Sequence, residues 1–86
     1  MNEIIRNLIN EWDPVDLINQ GAPNNEYEYE IIQLSNYLKN EITIQELAIK
    51  IYTLFKNSFG DDVFNKEYDE CFVVASKYFK QKNKGS

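Results

Sequence analysis

The chain has 86 residues, 43% of them hydrophobic and 27% charged, with three glycines, one cysteine, no histidine and a formal net charge of −5. That length allows one domain, near the lower limit at which a single apolar core holds a chain without staples, and the composition is neither disordered nor collagen-like. One Cys excludes an internal disulfide, one Cys without His excludes a zinc site, and no apolar run approaches membrane-spanning length.

The start, Met-Asn-Glu-Ile-Ile-Arg, lacks the basic and apolar regions of a signal peptide, so a soluble, cytoplasmic protein with no membrane partner is expected. The charge is uneven. Residues 1–30 carry seven acids against Arg6, a balance of −6. Residues 31–76 balance at −3, and Lys77, Lys80, Lys82 and Lys84 make the end +4. An acidic front half argues against nucleic acid, whose phosphates it would repel, and suits a basic protein partner.

Helix-period spacing of Ile5, Leu8, Ile9 and Trp12 predicts a first helix over Asn2–Trp12. Asp13 precedes Pro14, which ends that helix, and Asp13 is expected to cap a brief helix over Pro14–Asn19 with Pro at its first position. Asn19–Asn25, rich in Asn, Gly and Pro, reads as a loop. A second helix is expected from Asn25 or Glu26 to Asn40, with Asn25 and Glu28 as an imperfect capping box and Tyr27, Ile31, Leu34 and Leu38 inward. Tyr37 falls at the flank of this face, and Ile32 lies well round from it.

Thr43 with Glu46 is a full capping box, and Ile42 can staple onto Leu47. The third helix then buries Leu47, Ala48, Ile51, Leu54 and Phe55 and ends at Gly60; a strand over Glu41–Gln45 is too short to compete. A fourth helix is expected over Asp62–Lys80, with Phe64, Tyr68, Cys71, Phe72, Ala75, Tyr78 and Phe79 on one face and a disordered end over 81–86. The fold class is therefore all-α: one domain, residues 1–80, of four main helices with a short helical corner after the first.

Chemistry-bearing motifs are scarce. Asp13, Asp16, Glu26 and Glu28 lie close in sequence, but nothing marks the desolvated pocket that general acid–base work needs, and no His is present to activate a nucleophile. A calcium loop centred on Gly21 would place Asp16 first but Ile18, Gln20 and Tyr27 at ligand positions, so that pattern fails. Cys71, between Tyr68 and Phe72 and beside Asp69 and Glu70, reads as a buried inert thiol. No catalytic residue, metal ligand or cofactor site is assigned.

Asn10-Glu11-Trp12-Asp13-Pro14, Gly21-Ala22-Pro23 and Asn25-Glu26-Tyr27-Glu28 together resemble the YugE-like domain-of-unknown-function family of small acidic helical proteins from Gram-positive bacteria. There a Trp-Asp-Pro element precedes an Asp-Glu-Tyr-Asp-like element; this chain has Asn25 and Glu28 where that pattern has Asp. The resemblance runs on through Glu46-Leu47-Ala48 to Phe59-Gly60. It implies a compact helical fold and no established activity.

The residues 12–31 thus divide into two groups. Trp12, Asp13, Pro14 and Tyr27 are expected to build the corner. Asp16, Glu26, Glu28, Tyr29 and Glu30 are expected to face outward as a partner-binding patch, an aromatic anchor among acids. The expected function is a non-enzymatic interaction domain for a basic protein, of inhibitor or immunity type. The competing expectations are a carboxylate-dependent or metal-assisted enzyme at the same corner, and a structural homodimer.

Overall fold

The computed structural model of the protein describes residues 2–21 and 26–84. Four helices, and no strand among the described residues, make an all-α bundle: α1 Glu3–Trp12, α2 Glu28–Tyr37, α3 Ile44–Phe59 and α4 Tyr68–Lys84. Each start has a local cause. Asn2 caps α1, its Oδ1 accepting the Ile5 N–H at 3.1 Å. Thr43 and Glu46 close the capping box of α3 in both directions, at 3.1 and 2.8 Å.

Asn2 also sets the direction of packing. Its backbone N–H donates to Ser35 Oγ at 3.2 Å and its Nδ2 to the Tyr78 hydroxyl at 2.9 Å. The start of α1 therefore meets the ends of α2 and α4, and neighbouring helices run antiparallel. One end of the bundle gathers the end of α1, the start of α2, the end of α3 and the start of α4.

The expected helix over Pro14–Asn19 is instead a succession of turns from Pro14 to Gly21. Asp13 and Asp16 both adopt left-handed backbone, with φ of 50° and 64°, which interrupts any right-handed helix. The Asp13 carboxylate accepts from the N–H groups of Ile18 and Asn19, five and six residues on, rather than from the next turn. The expected start of α2 at Asn25 lies outside the described residues, and α2 begins only at Glu28, after Tyr27, which supplies no side-chain cap. Its end comes at Tyr37 rather than Asn40, where Lys39 and Asn40 donate to carbonyls three residues back and tighten the turn.

α4 starts six residues later than the periodicity predicts. The Phe64 N–H donates to the Gly60 carbonyl, but the Phe64 carbonyl is taken by Lys56 Nζ at 3.1 Å, so the turn does not propagate. Phe64 is thus buried from a loop. The buried face of α4 is Cys71, Val74, Ala75 and Tyr78, with Tyr68 and Phe72 exposed. At its other end α4 runs through Lys84, beyond the expected end at Lys80, where lysines suit the negative pole of the helix dipole; residues 85 and 86 of the expected disordered end lie outside the described residues.

The core is aromatic where the corner meets α3. Phe55 stacks on Phe64 and Phe59 with ring centroids 5.5 and 5.9 Å apart. Trp12 stands edge-on to Phe55 and Phe64, and Tyr27 edge-on to Phe55 and Phe59. Such pairs contribute about 0.5–1.5 kcal/mol each beyond area burial. Cys71 is fully buried, and burial, with the Glu70 charge adding to it, pushes its thiol up to about 12.

Candidate functional site

The corner is built around one polar pair, the buried Tyr27 and the partly buried Asp13. Tyr27 is fully buried among aromatic rings, and its hydroxyl donates to Asp13 Oδ1 at 2.5 Å. The same oxygen of Tyr27 accepts from the N–H groups of Val15 and Leu17 at 3.3 and 3.4 Å. Two side chains therefore satisfy four backbone donors of the turn segment, which has no helix to satisfy them. Burial raises the Asp13 carboxyl, but the Tyr27 hydroxyl and the Asn19 and Ile18 N–H groups outweigh it and hold it below its ordinary value. Burial and the Asp13 hydrogen bond push Tyr27 up to about 12. Pro14 is fully buried beside this pair in sequence, and Trp12 packs against the core.

The five residues expected to form one outward patch are not brought together as one. Asp16 and Glu26 are exposed, and Tyr29 is 63% exposed. Glu28 is instead engaged by Arg6 of α1 in a two-point pair, Nη1 to Oε2 at 2.8 Å and Nη2 to Oε1 at 2.7 Å. The Arg6 hydrogen bond holds the Glu28 carboxyl below its ordinary value. Glu30 is only 5% exposed. Successive helix residues point about 100° apart, so Glu28 meets α1, Tyr29 faces water and Glu30 turns inward.

Glu30 Oε2 has no hydrogen-bond partner, and burial raises its carboxyl above the ordinary value. A carboxyl raised in this way gives stability that is complete below its unfolded-state pKa and is lost as pH rises through the folded one. At neutral pH the fold carries that burden, so Glu30→Gln is expected to raise stability there by about 1 kcal/mol, with the gain vanishing in acid. Urea unfolding of both proteins across pH checks this; a loss of stability in the variant at neutral pH would contradict it.

The fold compensates for the withdrawn acids with a set that chain order hides. Residues 61–70 contain Asp61, Asp62, Glu67, Asp69 and Glu70 against Lys66, and all five acids are exposed. Helix periodicity places only a helix start at Asp62; the density of like charge over ten residues is the signal for this set. Phe64 anchors this loop against Trp12, with centroids 6.0 Å apart, which brings it beside the end of α1. Exposed carboxylates of Glu11, Asp16 and Glu26 therefore share one end of the bundle with those of residues 61–70. Lys56 is the nearby cation in a fixed position: it pairs with Asp61 at 3.3 Å and lies over the Tyr52 and Phe64 rings.

Lys39, Lys80, Lys82 and Lys84 are exposed towards the opposite end, at the ends of α2 and α4. The described residues extend 34 Å along their longest axis. Charges screen over roughly 8 Å at physiological salt, so an approaching partner meets the acidic end without feeling the basic one.

Among the described residues no group of three or more acids or Cys is arranged to hold a metal ion, and no helix is long and apolar enough to cross a membrane. No protein-family model, curated protein or solved structure matches the chain.

Proposed function

We propose that the protein is a non-enzymatic interaction domain whose acidic end binds a basic surface of another protein, in the manner of an inhibitor or immunity-type partner. One observation carries this reading: exposed carboxylates from two distant parts of the chain, residues 11–26 and 61–70, converge on one end while lysines gather at the other. Convergent charge of one sign steers a partner of the opposite sign and fixes its orientation.

The expected result is a basic protein retained on the immobilised domain at low salt and released at high salt. The triple variant Glu26→Lys, Asp62→Lys, Glu67→Lys should lose it, because these acids are exposed and outside the core. Reversing Lys80 and Lys82 should leave retention unchanged. Retention indifferent to salt and to the triple variant would remove the proposal.

A further inference from the structure

At the acidic end, α1 and α4 enclose a groove of about 280 Å³. That volume is below the roughly 300–1,000 Å³ of small-molecule pockets and suits a side chain or two. Its floor is apolar, made by buried Leu8 and Val74 with the partly buried Trp12. The antiparallel register that joins Asn2 to Tyr78 brings Glu11 opposite Glu70 at one end of the groove. Lys77 lies towards the other end, seven residues along α4 from Glu70, or about 10 Å at the helical rise.

Glu11 and Glu70 are exposed, and neither forms an ion pair or hydrogen bond through its side chain with a described residue. Both carboxylates thus line one groove together with Trp12. Two carboxylates lining one groove attract a cation into it, which gains from both.

We propose that this groove seats an arginine side chain of the basic partner; the inference rests on the reading of the acidic end as a binding surface and specifies its anchor. Arginine fits the three features together. Its aliphatic stem covers Leu8 and Val74, its flat guanidinium lies against Trp12, and its forked donors reach Glu11 and Glu70 at once. A lysine ammonium is a strongly hydrated point charge that cannot stack or fork in the same way. Lys77 opposes any cation in the groove, so its charge weakens binding.

Trp12 is the only Trp, so its fluorescence reports on the ring that lines this groove and meets Phe55 and Phe64 behind it. The test titrates the whole protein at low salt with dye-labelled nona-arginine and nona-lysine, following anisotropy, and with the unlabelled peptides, following Trp12 emission. The inference expects tighter binding of nona-arginine, a change in Trp12 emission, about fivefold weaker binding in each of Glu11→Gln and Glu70→Gln, and tighter binding in Lys77→Gln. Circular dichroism of each variant confirms that it is folded. Equal binding of both peptides, with Trp12 silent and the Gln variants unaffected but the Glu26, Asp62, Glu67 reversal effective, overturns the groove and leaves the acidic end standing. No binding of either peptide at low salt overturns both.

Discussion

Asp13→Ala is expected to lower the unfolding free energy by about 2–3 kcal/mol, a large share of the roughly 5–15 kcal/mol available to a small domain. The truncation removes the acceptor for the Tyr27 hydroxyl and for the Ile18 and Asn19 N–H groups. It also places a residue without a polar side chain at φ 50°, a left-handed conformation that Asp tolerates better than Ala. Tyr27→Phe alone should cost about 1–2 kcal/mol, since the Val15 and Leu17 N–H groups lose their acceptor. Because the two side chains share one network, the double variant should fall short of the sum by about 1 kcal/mol.

The pH dependence follows from the depressed Asp13 carboxyl. Its folded pKa lies below the unfolded value, taken as 3.8, so its contribution is complete above that value and is lost as pH falls through the folded one. Asp13→Ala should therefore flatten the acid side of the stability profile. Urea unfolding of the wild type, both single variants and the double variant from neutral to acid pH measures all of this. Additive losses, or an unchanged acid limb, would show that the corner is held by something other than this pair.

Phe64→Ala carries the larger expected loss, about 3–5 kcal/mol, as for other buried aromatic truncations. The ring is fully buried and touches Trp12, Tyr52 and Phe55, so the cavity left behind is bounded by three other rings. Phe72→Ala is the matched comparison: same residue type, same chain region, but 37% exposed, with an expected change within about 1 kcal/mol. The two are equivalent by helical spacing alone, so thermal unfolding of the pair separates a helix-face assignment from the loop plug described above. Comparable losses in both would refute the loop plug. Because Phe64 holds residues 61–67 against the end of α1, Phe64→Ala should also weaken binding of a basic partner, even when measured at a temperature where the variant remains folded.

Local features were legible because local physics sets them. The inward faces of α1 and α3, the Thr43–Glu46 box and the Gly60 stop depend on residues within a turn or two of one another. The same holds for Ile32, half-exposed as its place off the α2 face requires. The misplaced start of α4 is different in kind. Asp61 and Asp62 have the chemistry of a helix start, but the competing capture of the Phe64 carbonyl by Lys56 depends on a side chain eight residues earlier. Likewise spacing makes Glu28 half of an imperfect capping box with Asn25, which lies outside the described residues, and its carboxylate is paired with Arg6 of α1, a partner 22 residues away.

The sequence by itself determined the helical class and the inward faces of α1 and α3, whereas the pairing of Asp13 with Tyr27 at the corner and the buried face of α4 were decided by the tertiary structure. Periodicity and capping are short-range, and one chain states them in full. Which acids face outward was decided by the tertiary structure alone. A carboxylate's exposure depends on the neighbour its helix face meets, so Glu30 is buried, Glu28 is paired, and Asp61, Asp62, Glu67, Asp69 and Glu70 join Glu11 and Asp16 at one end. Charge that is spread along the chain becomes a surface only when antiparallel packing brings distant segments side by side.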